Sequence, residues 1–566
     1  MTLRKSGAAV ICALLILQQA GFSAEPTSPN VEASAFLKEF VGRLKPLQKE
    51  ANLAWWNAST KGDDESFQKK QEAENRIDAL LASPAEFQLL STLREKGGIS
   101  DRIVARRLEV LYLRCLEKQV PSLLLQEMNA KSNSIEKSFN SFRPKVGGEE
   151  KSSNEVRNIL QKSASSADRQ ATWEGSKGVG TVVEKDLLAL VALRNQAARE
   201  LGFENYHVMK MFLSEQKQGD ILKLFDELDE LTREPFRKAK SEIDEKLAEH
   251  CGIEVDELRP WHYHDPFFQD SPAVFGADLD GLYSKQDILK LCRVFYAGID
   301  LPIEDVLERS DLFEKQGKSP HAFCTDIDRD GDVRVLANVV PSERWMETML
   351  HELGHAVYSS KNIPNTVPYL LREQSHILTT EGIAMMFGRL SKNGLWHEKM
   401  GVASDDPATR RKVSNDAARV LRNQLLIFSR WCQVMLRFEK GLYENPKQDL
   451  NKLWWDLVEK YQMVKRPGNR DAPDYASKIH IVVAPVYYHN YMMGELFASQ
   501  LHHAIARDLA NGADPRKVIY ADDPRVGAFL KQNVFAPGAT LTWDELTEFA
   551  TGERLNPKSF AEDFQP

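Results

Sequence analysis

Apolar residues recur every three or four positions along most of the chain, in stretches such as FLKEFVGRLKPL, LLALVALRNQAARELGF and ILKLFDELDELTREPF. This period places the apolar side chains on one face of a helix, so it predicts a series of amphipathic helices. Loops are predicted at KGDDES, FRPKVGGEEKSS and DSPAVFGADLDG, where Gly, Pro, Ser and charged residues cluster. The fold is therefore predicted to be mainly α.

The pattern changes between His321 and Val340, where β-branched residues flank a polar turn that contains glycine, HAFCTDIDRDGDVRVLANVV. Such a change predicts a β-hairpin among the helices. The acidic turn begins at Asp326 and imitates the opening of a calcium-binding loop. The twelfth position of that loop is Ala337, where a calcium site needs a bidentate glutamate. We therefore interpret the acidic segment as a turn.

Composition limits the classes of protein to consider. The chain has 566 residues, of which 42% are hydrophobic and 28% charged, so it can bury a large core as one very large domain or as two closely packed lobes. The net charge is -8, and no block of basic residues is present. Because binding to nucleic acid depends on neutralising a run of phosphates, nucleic acid is not expected as a partner.

The first 24 residues have the composition of a bacterial-type export signal. Arg4 and Lys5 precede an apolar stretch, 8–17, and a segment of small residues, GFSAE. This pattern predicts a signal peptide at residues 1–24 and an exported domain at residues 25–566, periplasmic or extracellular; an uncleaved anchor is the alternative. No later segment has the length of a membrane span. Five sparse cysteines follow the signal, so disulfides are not expected to be the main support of the fold.

The segment TMLHELGHAVY at 348–358 carries the strongest chemical signal. Residues four apart lie one above the other on a helix, so His351 and His355 can present both imidazoles to a single cation, with Glu352 alongside. Zinc chemistry needs a third protein ligand and an open position for water, whose proton Glu352 would accept. The alternative is that both histidines are ordinary polar positions on a half-buried helix. The third ligand decides between the two.

That third ligand is expected downstream of His355. A nearby third histidine is excluded because the required position is lysine. The segment ILTTEGIAMMFGRL offers Glu381, with Thr379 and Thr380 as helix-capping candidates, and an acid among apolar residues is costly unless it is paired or metal-bound. Glu373 is the competitor, but its polar neighbours suit a solvated or ion-paired role. We therefore expect Glu381 to complete the site.

Further motifs, taken in order along the chain, resemble the angiotensin-converting enzyme family of zinc dipeptidyl carboxypeptidases. The matching segments cover most of residues 35–510 and are ANLAWWNAST, ATWEGSKGVG, LVALRNQAARELGF, HAFC at 321–324, WWDLVEKYQ at 454–462, KIH at 478–480 and YYHNY at 487–491. The resemblance implies a large helical peptidase fold with two interleaved lobes, a deep central cleft and a small β-hairpin next to the zinc helix. It also implies one zinc ion per chain and oligopeptide substrates.

The resemblance assigns roles to the residues at the metal. His351, His355 and Glu381 would be zinc ligands, and Glu352 would be the general base and later the proton donor. The spacing from the second to the third ligand is 26 (381 minus 355), a couple of residues longer than in the family, so a small insertion must be absorbed. The family has an acid four residues after the third ligand, where this chain has Met385, so outer support for the metal must come from elsewhere.

Other positions of the resemblance would bind the substrate. His480 and Tyr491 would donate hydrogen bonds to the oxyanion, a role that suits neutral imidazole and phenol groups in a water-poor cleft. Lys478 and Tyr488 would hold the free C-terminal carboxylate, which implies release of dipeptides from that end. The stretch between His480 and Tyr488 is one residue longer than in the family, which leaves Tyr487 as a rival for the carboxylate role.

Backbone and anion contacts complete the resemblance. His321 and Ala322 would pair with the substrate backbone by strand addition, which gives affinity with little side-chain selectivity. The family's chloride-binding arginines fall at Val458 and Asn490, so chloride is not expected to be required. The family's carboxylate-binding glutamine has no counterpart that the sequence locates. The nearby stretch 261–264, WHYH, is expected to pack around a loop, with an altered pocket or a second metal site as alternatives.

Two alternative functions stay open from the sequence. An oligopeptidase of the thimet type shares the HExxH helix, a distant glutamate and tyrosine donors, but it cuts short peptides internally. A catalytically silent peptide-binding protein would keep the fold and lose the reaction, although metal ligands, base and oxyanion donors are all present here. The leading hypothesis is an exported zinc metallopeptidase that releases dipeptides from oligopeptide C-termini, with its oligomeric state left open.

Overall fold

Helices dominate the computed structural model, which describes residues 28–275, 278–468 and 470–564. The predicted signal peptide at 1–24 lies outside the described residues. In the first part of the chain the α-helices are α1 Pro29–Lys61, α2 Asp64–Leu81, α3 Pro84–Lys96, α4 Arg102–Glu117, α5 Ser122–Ser141, α6 Ser153–Lys162, α7 Ser166–Glu200, α8 Tyr206–Leu213, α9 Gln218–Cys251, α10 Leu279–Tyr283, α11 Ile288–Gly298 and α12 Glu304–Arg309. In the second part they are α13 Glu343–Val357, α14 Ile377–Gly388, α15 Gly394–Lys399, α16 Pro407–Glu444, α17 Leu450–Gln462, α18 His480–Val483, α19 His489–Leu509, α20 Pro524–Leu530, α21 Trp543–Thr551 and α22 Lys558–Glu562. The predicted mainly α fold is confirmed.

Two short antiparallel hairpins interrupt the helices of the described chain. Strand β1 (Lys145–Val146) pairs with β2 (Glu149–Glu150) inside a segment that was predicted only as a loop. Strand β3 (Phe323–Asp326) pairs with β4 (Val333–Leu336). The second pair is the hairpin expected from the change of sequence pattern, and it packs against α13.

The acidic turn between β3 and β4 uses its carboxylates to hold its own backbone. Asp326 Oδ1 accepts a hydrogen bond from the N–H of Arg329 at 2.8 Å, and Asp328 Oδ1 accepts one from the N–H of Asp330 at 2.9 Å. The other carboxylate oxygen of Asp328 accepts from Lys49 Nζ at 3.0 Å. Because these oxygens are committed to N–H groups and an ammonium, the segment is a turn, as predicted.

The apolar side chains form one dominant core and a smaller one near the N-terminus. The dominant core includes residues from Ile135 in α5 to Phe560 in α22. The smaller core joins α1 to α4 and includes Leu370. The five cysteines of the described residues are unpaired, as expected, and none of the helices described is long and apolar enough to cross a membrane. The division into two lobes around a deep cleft stays a prediction.

Three glycines let α13, α14 and α19 approach closely. A Cβ added to Gly354 of α13 would lie 2.8 Å from the Cα of Ala384 in α14. A Cβ added to Gly494 of α19 would lie 3.0 Å from the Cβ of Glu381, and one added to Gly382 would lie 2.9 Å from the carbonyl oxygen of Gly494. No side chain fits at such distances in a close-packed interior. The three helices therefore bring distant segments of the chain to one place.

Candidate metal centre and substrate site

Helix α13 presents the two histidines of the HExxH segment on one face. The helix begins after Ser342, whose hydroxyl accepts a hydrogen bond from the N–H of Trp345 at 3.3 Å and caps the helix. His351 and His355 lie one turn apart, with their Nε2 atoms 3.1 Å from each other. This separation is close to the roughly 3.3 Å expected between two nitrogens that share a tetrahedral zinc ion.

Helix α14 supplies the third ligand atom. Glu381 Oε2 lies 3.6 Å from His351 Nε2 and 3.9 Å from His355 Nε2. One ligand atom from each of the three residues lies within 4.8 Å of the other two, and the described parts of the chain contain no other such group of three. The structure thus brings together the residues that were predicted to be zinc ligands.

The rival acid, Glu373, takes part in a different interaction. Its carboxylate forms ion pairs with Arg114 and Arg329. Two guanidinium partners satisfy the carboxylate without a metal ion. This is the ion-paired role expected from its polar neighbours in the sequence.

The start of α14 differs from the expectation that a threonine caps it. The helix begins at Ile377, after His376, whose ring accepts a backbone hydrogen bond at 3.1 Å as the N-cap residue. Thr379 supports this cap through a hydrogen bond with the N–H of His376 at 3.3 Å. Thr379 and Thr380 therefore lie inside the first turn, because histidine takes the capping position instead.

Thr380 contacts the ring of His355 at Nδ1, the nitrogen on the opposite side of the ring from Glu381. Its Oγ1 lies 2.7 Å from His355 Nδ1, which leaves Nε2 of the same ring free to face Glu381. A hydrogen bond of this kind sets the tautomer and the orientation of a metal-binding histidine. Met385, where the family has an acid, has no group that can do this. Thr380 thus provides the outer support that the sequence analysis expected from elsewhere.

Burial sets the charge of the ligand groups. It lowers the pKa of His351 to about 4 and holds the pKa of His355 well below its usual value. Burial also raises the pKa of Glu381 to about 8, and the carboxylates of Glu352 and Glu495 add to the rise. Neutral imidazoles with free lone pairs, next to an acid without a counter-charge, are completed by a divalent cation. Two nitrogens and one carboxylate are a donor set that fits zinc.

Glu352 lies beside the ligands on the same helix and is 8% exposed. Burial raises its pKa to about 7, and a backbone N–H of Cys324 opposes the rise. A carboxylate with a pKa near neutrality is suited to accept and return a proton. The position and the environment of Glu352 therefore agree with the predicted role as general base.

One edge of β3 faces the metal centre, as the contact between the N–H of Cys324 and the carboxylate of Glu352 indicates. N–H groups two residues apart on a strand point to the same edge, so Ala322 and Cys324 share the edge that faces Glu352. His321 is exposed at the start of this edge, and its own N–H donates to Ser319 Oγ at 3.2 Å. The structure thus places an open strand edge next to the predicted catalytic base.

The two predicted oxyanion donors come from the segment around α18 and α19. Burial lowers the pKa of His480 to about 4, and Lys478 adds to this effect. Burial and the nearby carboxylate of Glu381 raise the pKa of Tyr491, so its phenol keeps its proton. The ring of Tyr488 lies between them, with its centroid 5.3 Å from that of His480 and 5.5 Å from that of Tyr491.

A second polar cluster lies next to Tyr488. Lys478 Nζ donates a hydrogen bond to Gln269 Oε1 at 2.7 Å, and the Tyr488 hydroxyl lies 3.5 Å from the same oxygen. An ammonium, a phenol and an amide N–H₂ group here offer donors to a carboxylate. Tyr487, the rival of Tyr488, instead packs against Tyr491 with ring centroids 5.2 Å apart. We call Lys478, Gln269 and Tyr488 the carboxylate cluster.

Gln269 is a member of this cluster that the sequence analysis missed. Its loop has no helical or strand period, and its partner Lys478 lies 209 residues later in the chain. Asp265 shapes the loop by accepting hydrogen bonds from the N–H groups of Phe267 at 2.8 Å and Gln269 at 2.9 Å. The Asp-Pro pair in DPFFQD is a turn signal that locates the loop but not its partner.

The ammonium of Lys478 is held in a largely apolar setting. Lys478 is 5% exposed, and its Nζ lies 5.0 Å from the ring centre of Phe267 and 5.1 Å from that of Trp431. Burial lowers its pKa to about 8, while Asp265 and Asp270 partly restore it. A cavity of about 360 Å³ lies beside the cluster and includes Gln269 in its wall. The ammonium therefore lacks a full counter-charge that a bound carboxylate would supply.

The stretch 261–264 packs in the interior, as expected. His262 Nε2 lies 2.9 Å from Ser166 Oγ, and the hydroxyl of Tyr263 donates to Asp244 at 2.9 Å. All four side chains are buried. Among the residues described, neither histidine of the stretch belongs to a group that could hold a metal ion.

The positions of the family's chloride-binding arginines hold uncharged side chains in this chain. Asn490 accepts a hydrogen bond from Gln216 Nε2 at 2.7 Å, and Gln216 Oε1 lies 2.7 Å from His489 Nε2. Val458 is buried and shares a small cavity with Lys177, whose pKa burial lowers to about 7. Both positions thus lack the permanent charge of an arginine. The absence of a chloride requirement stays a prediction.

Comparison with known proteins agrees with this geometry. The family model described as angiotensin-converting enzyme matches residues 27–236 and 282–566. Curated relatives of that name include one from Theromyzon tessulatum, 23% identical over 262 residues, and one from Mesocricetus auratus, 23% identical over 284 residues. These matches cover 44% and 48% of this chain but only 40% and 21% of the relatives' own lengths. The chain belongs to the angiotensin-converting enzyme family.

Proposed function

We propose that this protein is a zinc metallopeptidase that releases dipeptides from the C-termini of oligopeptides. The observation that carries the proposal is the presence of two clusters. One is the candidate metal centre on α13 and α14, and the other is the carboxylate cluster, which includes Tyr488. Family membership supports the reaction class. The carboxylate cluster supports the direction of cleavage, because it offers a fixed site for a free C-terminal carboxylate.

Tyr491 and Tyr488 relate the metal centre to the carboxylate cluster. The carboxylate of Glu381 raises the pKa of the Tyr491 phenol. The ring of Tyr491 lies 5.5 Å from that of Tyr488. The hydroxyl of Tyr488 lies 3.5 Å from Gln269 Oε1. A peptide with its last carboxylate at Lys478 would extend along these side chains toward the metal ligands. The short connection favours release of a small C-terminal fragment over cleavage far inside a chain.

The residues around the metal centre suit peptide hydrolysis. A zinc ion bound by the three ligands would polarise the scissile carbonyl and make a water molecule more acidic. Glu352 accepts the proton of that water and later passes it to the leaving amine. His480 and Tyr491 donate hydrogen bonds to the carbonyl oxygen as it gains negative charge. Both keep a proton to donate at neutral pH, since the phenol stays protonated and the neutral imidazole retains one N–H.

The open edge of β3 would bind the substrate backbone. Ala322 and Cys324 direct main-chain groups to this edge, beside Glu352. A peptide added as a further strand gains hydrogen bonds that do not depend on its side chains. We therefore propose oligopeptides of varied sequence as substrates, with His321 and Ala322 as backbone contacts.

We extend the proposal to location and ions. The export pattern of residues 1–24 supports a site of action in the periplasm or outside the cell. The neutral neighbours of Asn490 support activity without chloride. N-terminal sequencing of protein from the periplasmic fraction tests the first part, and rates measured in chloride and in acetate buffers test the second. Protein found only in the cytoplasm, or a strong dependence on chloride, contradicts the respective part.

Mass spectrometry of digested peptides tests the function directly. One peptide is offered with a free C-terminus and also as its C-terminal amide, each with and without a chelator. We expect dipeptides from the free peptide, a large loss of rate with the amide, and loss of all cleavage with the chelator that added zinc reverses. Equal internal cleavage of both peptides would favour the thimet-like alternative. Binding without any cleavage would favour the silent peptide-binding protein.

A further inference from the structure

The segment that carries His480 and leads to Tyr491 depends on contacts with other parts of the chain for its conformation. Helix α18 has only four residues and ends at Val483, and an irregular stretch leads from it into α19. In a helix of this length the carbonyl of His480 accepts a local hydrogen bond, from the N–H of Ala484 at 2.9 Å, but the later carbonyl groups lie beyond the reach of the helix's own N–H groups. Within the irregular stretch Val486 has a φ of +55°, which is unfavourable for a β-branched residue. Contacts from other parts of the chain must maintain this conformation.

Arg194 of α7 satisfies two of the carbonyl groups of α18. Its Nη1 donates to the carbonyl oxygen of Ile481 at 3.0 Å, and its Nη2 donates to that of Val482 at 2.6 Å. The planar guanidinium holds both carbonyls in one relative orientation. Because these residues directly follow His480, Arg194 determines the direction of the backbone on which the imidazole is carried.

Glu439 of α16 holds the strained residue. Its Oε1 accepts a hydrogen bond from the N–H of Val486 at 2.8 Å. Glu439 is only 2% exposed, and burial raises its pKa to about 8 although the Val486 N–H and Arg194 oppose the rise. Val486 is followed two residues later by Tyr488 and then by α19, which carries Tyr491. Glu439 therefore fixes the entry of the chain into the helix of the second oxyanion donor.

The helices that supply these two residues are joined behind the segment. Arg194 Nη1 also donates to the hydroxyl of Tyr443 at 3.1 Å, and Asn195 donates to the carbonyl oxygen of Tyr443 at 2.8 Å. The guanidinium of Arg194 lies 5.4 Å from the ring centre of Tyr206. Charged groups are costly to bury unless such partners hold them in place. The frame formed by α7 and α16 thus directs two buried polar groups at one short backbone segment.

We propose that Arg194 and Glu439 are positioning residues for the oxyanion donors. They touch neither the metal ligands nor the carboxylate cluster, and they act by fixing the backbone from His480 to the start of α19. This inference rests on the proposed function, because it assigns the segment a role in the hydrolytic step. It predicts that both residues affect the chemical step more than substrate binding.

A double-mutant cycle with His480 tests Arg194. Alone, Arg194→Gln should lower kcat about 10- to 100-fold, with KM within about twofold and zinc content unchanged, because misplacement by about 1 Å has an effect of this size. Arg194→Lys should recover part of the rate, since an ammonium can still donate to one carbonyl. In a His480→Phe background, Arg194→Gln should have a much smaller effect, since the donor that it positions is already lost.

A pair of variants at Glu439 gives an independent test. Glu439→Gln keeps an oxygen that can accept from the Val486 N–H, so kcat should stay within about threefold of wild type. Glu439→Leu removes the acceptor and should lower kcat about tenfold or more at unchanged zinc content. If Arg194→Gln does not fold, the Glu439 pair decides the proposal.

The control is Arg106, a buried arginine that donates to the carbonyl oxygen of Ala539 at 2.9 Å. Arg106→Gln should lower the melting temperature but leave kcat within about twofold in both backgrounds. Equal losses from Arg194→Gln in the wild-type and His480→Phe backgrounds, or a kcat of Glu439→Leu near wild type, would overturn the positioning role. A wild-type protein that cleaves no peptide at all would instead contradict the proposed function, so the two failures are distinct.

Discussion

The metal centre and the carboxylate cluster are assembled in different ways. Two of the candidate metal ligands, His351 and His355, lie one turn apart on α13, and the third, Glu381, comes from the next helix. The carboxylate cluster instead joins Lys478 to Gln269, 209 residues apart and outside any α-helix or β-strand. The first site depends on helix geometry and one helix contact. The second depends on where the whole chain places two irregular segments. The residues for the proposed reaction are thus encoded more locally than those for the proposed direction of cleavage.

The two sites also differ in the charge that they lack. Burial raises the pKa of Glu381 to about 8 beside neutral histidines, so the metal centre lacks a positive charge. Burial lowers the pKa of Lys478 to about 8, so the carboxylate cluster lacks a negative one. One site is therefore completed by a cation and the other by an anion. Substitutions in one should change metal-dependent chemistry, and substitutions in the other should change substrate selection.

The largest expected effect comes from substituting Glu352, the proposed general base, and it tests the chemistry of the metal centre. Glu352→Gln should lower kcat by about 10³-fold or more while zinc content, measured by mass spectrometry of the metal, stays at one per chain. Glu347→Gln on the same helix is the control, because the Glu347 carboxylate pairs with Lys392 Nζ at 2.8 Å. Unchanged turnover of Glu352→Gln would exclude the proposed base.

The second largest expected effect is on zinc affinity, and it distinguishes Glu381 from Glu373 as the third metal ligand. Glu381→Gln should weaken zinc binding by more than about 100-fold, because it removes the charged ligand. Glu373→Gln is the matched control and should keep zinc while it lowers thermal stability, because it weakens ion pairs with Arg114 and Arg329. Competition with a chromogenic chelator measures both affinities. The reverse result would make Glu373 the ligand.

The carboxylate cluster should show a smaller and more selective effect. Lys478→Met should lower kcat/KM for free-ended peptides by about 10- to 100-fold, since a hydrogen bond to a charged group contributes about 1.5–3 kcal/mol. Rates for amidated peptides should change by less than about threefold, because they offer no carboxylate. Equal losses for both peptides would mean that the lysine supports the fold rather than the C-terminus of the substrate.

The pH dependence of KM sharpens the same point. Lys478 binds a carboxylate in its protonated form, and burial lowers its pKa to about 8. KM for free-ended peptides should therefore stay low below that pH and rise as pH increases through it, by about tenfold per unit at most. The Lys478→Met variant and amidated peptides should lack this rise. A KM that is flat from about pH 7 to 9.5 in the wild type would contradict the assignment.

The smallest expected effect concerns the support of the metal centre. Thr380→Val removes the hydroxyl that lies 2.7 Å from His355 Nδ1 while keeping the shape of the side chain. Zinc affinity should fall by about tenfold, in the range known for such outer contacts. Thr379→Val is the control, because it weakens the start of α14 without touching a ligand. Equal zinc affinity in both variants would remove Thr380 from the site.

Local patterns accounted for much of the fold and the metal centre. The three-and-four spacing of apolar residues predicted helices, and the change at residues 321–340 predicted the hairpin of β3 and β4. The preference for Glu381 over Glu373 followed from the apolar neighbours of the first and the polar neighbours of the second. These patterns succeed because helix and strand periods decide which side chains share a face.

Long-range contacts could not be predicted from local sequence patterns. The cap of α14 is His376 rather than a threonine, because tertiary contacts draw Thr380 to His355 instead. Gln269 carries no periodic signal, and only packing of its loop against Lys478 assigns it to the carboxylate cluster. Arg194 lies in the predicted helical segment LVALRNQAARELGF, and nothing in that segment indicates its partners. Its contacts with Ile481 and Val482 depend on how α7 packs behind α18.

The sequence by itself determined the helical class, the hairpin and the two imidazoles one turn apart, because neighbours in the chain are held at fixed spacings by the backbone. Only the tertiary structure decided which glutamine meets Lys478 and which arginine holds α18. Such pairs form across hundreds of residues, and their geometry depends on close packing at positions such as Gly354 and Gly494, where any side chain would separate the helices.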